Sequence, residues 1–289
     1  MTIDDVLPEI FDIILEILRV EDYHKTTLSS CSVVSRKWRA LTIKHVFYSL
    51  SFIVRIPEKP DTSITSCFMQ DFMQSDIFRT VQSYVQKLAL KWGKAQGNPI
   101  GTDILEYISV FPALRQLSLQ GLVSKRCIAP SEQLAHIKYP RTLDTLEIIG
   151  RRASLQVLQD SPTSRRTIQD PRAFCDILSL FGSIRTLRLE RMDCEEDVLP
   201  NTWHEWDLPV IHGLEVDLNY GSFLDNPFYR VLFTSTSLVS QLKRFSIFSM
   251  PTNMTHEHVR FVKTVALGIH HLTCNINDIP TTDDGMNGE

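Results

Sequence analysis

The chain has 289 residues, of which 43% are hydrophobic and 22% charged, and its formal net charge is −4 at neutral pH. These proportions are typical of a folded globular protein, and the negative charge argues against general nucleic-acid binding, which needs a clustered basic surface. No segment reaches the roughly 20 apolar residues of a membrane span, and the acidic N-terminus argues against a signal peptide. Six cysteines without a Cys-x-x-Cys pair indicate buried thiols in a reducing compartment, not disulfides or a zinc site.

The N-terminal segment predicts three short helices. Pro8 suits a first helical turn because its missing N–H would have no intrahelical partner there. The apolar residues Ile10, Ile14, Ile17 and Leu18 recur at helical spacing, with Asp12, Glu16 and Arg19 on the other side. A second predicted helix carries Leu28, Cys31, Val34 and Trp38, and a third begins near Leu41. Because three such helices bury little surface on their own, the segment is expected to need a partner.

This segment resembles the F-box, the helical module that binds the Skp-family adaptor of cullin–RING ubiquitin ligases. The resemblance covers about a sixth of the chain and rests on Leu7-Pro8-Glu9-Ile10, the Ile14/Leu18 pair, Cys31-Ser32-x-Val34-Ser35-x-x-Trp38 and His45-Val46-Phe47. The commonest form has one more residue between the Leu-Pro and Glu-Ile pairs. The alternative is a helical cap on a larger domain. The resemblance implies an adaptor-binding set of Leu7, Pro8, Ile10, Ile14, Leu18, Leu28, Cys31, Val34 and Trp38.

The rest of the chain carries a repeated strand signal. Its apolar pairs are Leu88/Leu90, Leu117/Leu119, Leu146/Ile148, Leu187/Leu189, Val216/Leu218, Phe245/Ile247 and Leu272/Cys274, at steps of 29, 29, 41, 29, 29 and 27 residues. An apolar residue usually stands three positions before each pair, and Gly213 replaces it in the fifth. Helical candidates lie between the strands, and the run 50–54 predicts a first, capping strand. A strand and a helix per repeat of 20–29 residues is the signature of stacked leucine-rich repeats.

This part resembles the degenerate leucine-rich repeats that often follow an F-box, most clearly at Phe111-Pro112-Ala-Leu114-x-x-Leu117-x-Leu119. It departs from them where an inward Asn or Cys is usual, which puts an evenly curved stack in doubt. An ordinary α/β domain with buried parallel strands is the alternative. Two predicted loops interrupt the repeat, a polar one at 150–170 and one at 190–208 that contains Trp203 and Trp206, which either clamp the strand ends or anchor a partner.

Sequence motifs for catalysis or metal binding are not found. There is no Gly-rich phosphate loop, nucleophile elbow or His-Glu-x-x-His motif. His256 and His258 are two residues apart, about 200° around a helix, so they do not share a metal on one face. No catalytic, cofactor-binding or metal-binding residue is therefore predicted, and the chain is not expected to be an enzyme.

The predicted fold is α/β, with an N-terminal three-helix F-box at 1–50, a short strand–helix leucine-rich-repeat-like solenoid at 51–279 and a disordered tail at 280–289. The function expected is substrate recognition in a Skp–cullin–F-box ubiquitin ligase, in the cytoplasm or nucleus, without nucleic acid, membrane or cofactor. The target protein is unknown. One alternative is a non-catalytic scaffold that uses its F-box outside ubiquitination; another is an enzyme with an unrecognised site.

Target binding is predicted on the outward sheet face. Strand side chains alternate with period two, so the neighbours of the inward pairs point away from the core. Stacked repeats commonly bind through the face that these side chains form. Its mixed charge favours a folded protein or peptide over a polyanion, with Phe248 as a candidate anchor unless the C-terminal segment folds over it. The predicted set is Lys87, Lys91, Gln116, Gln120, Arg188, Glu215, Asp217, Arg244, Phe248 and His271.

Overall fold

A computed structural model describes most of the predicted helices and strands. The residues that it describes are 8–21, 25–54, 67–92, 101–122, 139–150, 171–192, 208–217, 236–250 and 268–276, with the single positions 229, 232 and 263. The predictions for the loop at 150–170, for Trp203 and Trp206 and for the tail at 280–289 fall outside the described residues, apart from the first residue of that loop.

The described elements form a mixed α/β protein. The helices are α1 (Pro8–Glu21), α2 (Thr26–Val34), α3 (Arg36–Val46), α4 (Cys67–Gln74), α5 (Asp76–Val81), α6 (Gly101–Ser109), α7 (Pro171–Ser179) and α8 (Thr236–Gln241). The strands are β1 (Ser49–Val54), β2 (Lys87–Trp92), β3 (Gln116–Leu122), β4 (Tyr139–Gly150), β5 (Phe181–Glu190), β6 (Val210–Asp217), β7 (Arg244–Met250) and β8 (His271–Ile276). Three N-terminal helices and the repeated strands were expected from sequence, whereas α4, α5 and α8 were not. The predicted boundary between the second and third helices is wrong: α2 ends at Val34, and Trp38 lies on α3, which begins at Arg36 and not near Leu41.

Serine side chains mark the start of two helices. Ser35 has an extended backbone between α2 and α3, and its hydroxyl accepts a hydrogen bond of 3.2 Å from the Trp38 N–H. Ser75 precedes α5 and accepts one of 3.3 Å from the Phe78 N–H. Such side chains satisfy backbone donors that have no partner within the helix. Ser35 is the single residue between α2 and α3, and its extended backbone and side-chain hydrogen bond end one helix and begin the next.

The chain divides into two compact units, residues 1–120 and 121–289. The first contains α1–α6 with β1, β2 and most of β3, and the second contains α7, α8 and β4–β8. The N-terminal helices thus share a unit with the first strands of the repeat. The predicted domains 1–50 and 51–279 stay predictions.

The strands of the first unit pair in parallel and in the predicted register. Leu50 of β1 lies beside Leu88 of β2, and Leu88 lies beside Leu117 of β3. The apolar residues three positions before the pairs, Val85 and Leu114, are buried as well. The period-two pattern therefore identifies the inward side chains of β2 and β3, which are Leu88, Leu90, Leu117 and Leu119.

Four phenylalanine rings contact one another in series within the first unit. The ring of Phe52 on β1 lies 5.6 Å from that of Phe72 on α4, measured between centroids, and Phe72 lies 5.6 Å from Phe78 on α5. Phe78 in turn meets Phe111, which precedes β3, at 5.8 Å and nearly edge to face. Aromatic pairs favour this geometry. The contacts join α4 and α5 to the inward face of the strands.

The strands of the second unit are also parallel, and their pairing corrects the inward residues predicted for one repeat. Leu187 of β5 pairs with Leu214 of β6, and Leu214 pairs with Phe245 of β7. The predicted inward pair of the fifth repeat, Val216 and Leu218, is therefore wrong by two residues. The inward pair is Leu214 and Val216, and both are buried.

The same correction supplies the aliphatic residue that the fifth repeat was expected to lack. Ile211, three positions before Leu214, is fully buried, so Gly213 does not replace the leading residue. A shift of two residues keeps every side chain on its face, because strand side chains alternate with period two. Glu215 and Asp217 accordingly still lie on the outward face.

Within each unit, neighbouring strands follow chain order, which leaves one sheet face open. The order is β1-β2-β3 in the first unit and β4 to β8 in the second. Crossovers between parallel strands are right-handed in nearly all proteins, so successive connections in such an order lie on the same face. Burial follows this rule for most positions of β2, β5 and β6, where inward side chains are buried and most outward neighbours are partly or fully exposed. The predicted inward residue Leu272 of β8, which pairs with Phe245, is instead 41% exposed.

Candidate binding surfaces

An unusual apolar surface lies on α1. Four isoleucines at positions i, i+3, i+4 and i+7 share one side of the helix, where helical spacing places such residues. Their exposed fractions are 48% for Ile10, 61% for Ile13, 45% for Ile14 and 51% for Ile17. We call these four residues the isoleucine face. Val33 and Val34, at the end of α2, are more exposed still.

A second apolar side of α1 holds the three helices together. Phe11 and Leu15 are buried, and so is Leu28 of α2. The Phe11 ring meets the Trp38 ring of α3 edge to face, with 5.0 Å between centroids. Since these residues supply the contacts between helices, the isoleucine face is not needed for them.

Polar contacts also fix α1 on α3. The Lys44 ammonium lies 2.7 Å from Asp12 Oδ1, and His45 Nε2 lies 2.8 Å from the same oxygen. The Nε–H of Arg19 donates to Glu16 at 2.9 Å. Hydrogen bonds from Lys44 and then from His45 lower the pKa of Asp12, and the hydrogen bond from Arg19 lowers the pKa of Glu16. Both carboxylates are therefore held in their ionised form.

Cationic side chains connect the helices to the first strands. The Lys25 ammonium donates to the carbonyls of Val46, at 2.6 Å, and Ser49. Burial lowers the pKa of Lys25. The Arg19 guanidinium lies 3.8 Å from the centroid of the Tyr48 ring, close enough for a cation–π contact. These contacts join α1 and the start of α2 to the junction between α3 and β1.

The structure places the predicted adaptor-binding residues in three groups. Leu7 lies outside the described residues, and only the backbone of Pro8 is described, at the first position of α1. Ile10, Ile14 and Val34 are exposed. Leu18, Cys31 and Trp38 are half-buried, whereas Leu28 is fully buried and supports the helices from inside.

The outward face of the first unit is mainly polar and basic on β2 and β3, whereas Ile53 of β1, which pairs with Lys91, is 58% exposed. On β2, Lys91 is exposed and Lys87 is half-buried, and on β3 Gln116 and Gln120 are half-buried. Lys87 pairs with Gln116 across the strands, and Lys91 pairs with Gln120. The Lys87 ammonium also lies 5.6 Å from the Tyr48 ring centroid. The four predicted residues therefore form two rows on one face, with the Ala89–Ser118 row between them.

The outward face of the second unit centres on Arg188 of β5. Its Nη1 lies 3.6 Å from Glu147 Oε1, and its Nε lies 3.8 Å from Glu215 Oε2, so it is flanked by one carboxylate on each neighbouring strand. Its Cζ lies 5.8 Å from the ring centroid of Phe248. We call Glu147, Arg188, Glu215 and Phe248 the arginine cluster. The contacts are loose, as expected for exposed groups.

The remaining predicted residues of this face occupy the rows beside the cluster. Asp217 pairs with Glu190 on one side and with Phe248 on the other, and it is half-buried. Arg244 and His271 pair with each other and are exposed. The structure thus brings Arg188, Glu215, Asp217 and Phe248 together and places the Arg244 row next to them.

Sequence reasoning missed two features of these surfaces. Ile13 and Ile17 were not among the predicted adaptor-binding residues, although they complete the i, i+3, i+4, i+7 spacing on α1. The contact between Asp12 and His45 had no sequence signal, because these residues are 33 positions apart. Glu16 meets the same imidazole at 3.5 Å.

Comparisons with known proteins assign the chain to no family. No model of a protein family matches it, and no curated protein matches its sequence. Among the described residues, no helix combines the length and the apolar character needed to cross a membrane. The same part of the chain contains no group of three or more His, Cys, Asp or Glu residues placed to hold a metal ion.

Proposed function

We propose that the chain is a substrate-recognition subunit of a Skp–cullin–F-box ubiquitin ligase. Its N-terminal segment, residues 7–47, binds the Skp-family adaptor as an F-box, and its outward sheet faces bind a target protein as leucine-rich-repeat-like surfaces. The chain supplies no catalytic group of its own, because the ligase chemistry belongs to the partners.

The isoleucine face is the observation that carries this proposal. A helix in a globular protein normally turns its apolar stripe toward the core. In α1 the inward side is already occupied by Phe11 and Leu15, and about half of each isoleucine remains exposed. Contiguous exposed apolar surface of this kind marks an interaction site in soluble proteins. The F-box resemblance, which covers the same residues, is the reason for proposing the adaptor as the partner.

The sheet faces support the second half of the proposal. The strands are parallel and follow chain order, so one face stays open along each unit. The outward side chains of the second unit mix charges of both signs with a half-buried aromatic ring. Arginine and aromatic residues are enriched where proteins bind one another. This composition fits a folded target or peptide.

Co-purification of the full chain with the adaptor tests the proposal. The double variant Ile13→Asp/Ile17→Asp places two charges on the isoleucine face, where a bound partner would bury them without a counter-charge. We expect it to lose adaptor capture by more than about tenfold, since one unpaired buried charge exceeds 1.4 kcal/mol. Ile77→Asp is the matched control, because Ile77 on α5 is 57% exposed and lies outside the N-terminal helices.

The outcome also separates the alternatives. Capture of the adaptor together with a cullin supports a ligase subunit, whereas the adaptor without a cullin indicates a scaffold that uses its F-box elsewhere. Equal adaptor binding by the wild type and the double aspartate variant, with helical dichroism unchanged, would contradict the assignment of the isoleucine face. No adaptor binding by the wild-type chain would overturn the proposed function.

A further inference from the structure

The outward sheet faces of the two units carry charges of opposite sign. On β1–β3, the paired outward positions that the structure describes include Lys87 and Lys91 and no carboxylate. On β4–β7, carboxylates dominate two adjacent rows, which we call the acidic rows. One row contains Glu147, Arg188, Glu215 and Ser246, and the other contains Ile149, Glu190, Asp217 and Phe248.

Carboxylates outnumber cations in the acidic rows. Four carboxylates and one guanidinium leave a formal charge of −3. Arg191, whose Nη2 lies 2.7 Å from Glu190, reduces it to −2. Arg188 lies between Glu147 and Glu215 and positions them, but its contacts of 3.6 and 3.8 Å are longer than hydrogen bonds. Because neighbouring strands are about 4.8 Å apart, this negative charge is concentrated within roughly 10 Å across β4–β6.

Apolar side chains flank the carboxylates, and further cations lie at a distance. Ile149 and Phe248 are both half-buried, and the Phe248 ring centroid lies 5.8 Å from Arg188 Cζ. Lysine and arginine have long apolar stems that pack on such side chains while the charged end reaches a polar partner. Arg244 and His271 pair with each other at the amino ends of β7 and β8. Arg244 is four residues from Phe248, about 13 Å along the strand.

We propose that the acidic rows bind a segment of the target protein that carries lysine or arginine beside an apolar residue. The proposal rests on the proposed function, which assigns target binding to this face. An extended segment places alternate side chains on the same side, about 6.7 Å apart. Two basic residues at alternate positions therefore reach the carboxylates of β4–β6, and an apolar residue two positions further reaches Phe248. The same negative charge repels a polyanion.

Titration of the full chain with a labelled peptide tests the charge of the occupant. The probe contains the sequence Lys-Ser-Arg-Ser-Leu, and its matched control contains Gln-Ser-Gln-Ser-Leu. At low salt we expect the basic peptide to bind at least about tenfold more tightly, because its charges complement those of the face. The advantage should shrink in 1 M salt, where the screening length falls to about 3 Å. Equal affinity for the two peptides at low salt would overturn the proposal.

Paired substitutions locate the binding. Glu215→Lys/Asp217→Lys should weaken binding of the basic peptide by more than about fivefold, since attraction becomes repulsion. Glu21→Lys/Asp71→Lys is the matched control, because it changes the net charge equally at exposed positions outside the sheet and should keep the wild-type affinity. Glu215→Gln/Asp217→Asn only removes charge and should weaken binding by about threefold. It decides the outcome if the charge-reversed variant fails to fold, and an unchanged affinity in it would contradict the proposal.

Two further measurements complete the experiment. Phe248→Ala should lower affinity for the basic peptide by about threefold at both salt concentrations, because salt screens charges and not apolar contacts. Adaptor capture is measured in parallel. If the adaptor and a cullin bind but the basic peptide has no advantage over its neutral control, the proposed function stands and this inference fails. If binding of the basic peptide depends on Glu215 and Asp217 but the adaptor does not bind, the acidic rows are a binding surface and the proposed function fails.

Discussion

The α1 helix and the β5–β7 strands are both rich in apolar residues at regular spacing, but these residues are buried to different extents. In the strands, Leu187, Leu214 and Phe245 lie side by side and are almost completely buried. In α1, eight of the 14 residues are large and apolar, which is too many for one face. Phe11 and Leu15 turn inward and the four isoleucines remain exposed.

The difference follows from the geometry of the two elements. A strand has two faces, so alternating apolar residues can all point to one of them, and Phe248 is the aromatic residue that the outward face of β7 carries. A helix distributes its residues around a cylinder, so an excess of apolar residues produces a second apolar side. The inward side chains of these strands are buried within their own unit, whereas α1 keeps an apolar side that stays about half exposed among the described residues. Under the proposed function, one side of α1 stabilises the helices and the other binds the adaptor.

Truncation of an inward strand residue should produce the largest effect. Leu214→Ala removes a buried side chain from the middle of β6, and large-to-small core changes of this kind cost about 2–5 kcal/mol. The matched control is Val210→Ala on the same strand, where the side chain is exposed and the cost should stay below about 1 kcal/mol. Denaturant unfolding of both variants measures the difference. Similar losses would mean that Leu214 does not point into the core.

The two sides of α1 should respond in opposite ways. Leu15→Ala removes a fully buried side chain and should destabilise the three helices by about 2–5 kcal/mol. Ile13→Ala changes an exposed side chain and should cost less than about 1 kcal/mol, while weakening adaptor capture. Protection of the α1 amides from hydrogen exchange reports the first effect, and co-purification the second. If Ile13→Ala also loosens the helix, the isoleucine face is part of the core.

Acid should loosen α1 through its carboxylates. The pKa values of Asp12 and Glu16 are lowered in the folded chain, so each contributes stability that is present above its ordinary value, 3.8 and 4.5, and is lost as the pH falls through the folded value. The effect should be small, because both side chains are about half exposed and therefore screened by solvent. Amide exchange of α1 between pH 5 and pH 3 checks it, with Asp12→Asn expected to flatten the profile. A steeper loss of protection in that variant would contradict this account.

The strand positions were predictable from sequence because apolar side chains at every second residue share one face only in an extended strand. The register of β6 was harder to predict. Val216 and Leu218 repeat the same spacing as Leu214 and Val216, and a displacement of two residues keeps every side chain on its face. Only pairing with the neighbouring strands, Leu187 to Leu214 and Leu214 to Phe245, decides between the two alignments.

The candidate sites were predictable only in part, for a related reason. Helical spacing identified Ile10 and Ile14 but did not tell which apolar side of α1 faces inward, because that choice depends on what α3 presents, notably the Trp38 ring against Phe11. The contact between Asp12 and His45 joins distant parts of the chain, so no local pattern encodes it. Contacts that depend on how separate helices pack could therefore not be predicted from the sequence.

The smallest effect on stability is expected on the outward face of the second unit. Arg188 is about half exposed and contacts Glu147 and Glu215 only at 3.6 and 3.8 Å, and exposed ion pairs of this kind contribute about 0–1 kcal/mol. Arg188→Ala should therefore lower the free energy of unfolding by less than about 1 kcal/mol, and Phe248→Ala by a similar amount. Denaturant unfolding checks both, with the inward neighbour Leu187→Ala as the strongly destabilising control.

Capture of the target should respond more strongly than stability to the same substitutions. Arg188→Glu reverses a charge between two carboxylates and should raise the repulsion within the arginine cluster without reaching the core, because strand side chains at this position point away from it. We expect reduced recovery of target proteins from a comparison of wild-type and variant pull-downs, with adaptor binding retained. If Arg188→Glu unfolds the chain, the side chain belongs to the core. If it leaves both stability and target recovery unchanged, the binding face lies elsewhere, and the contrast with α1 reduces to one exposed surface with a partner and one without.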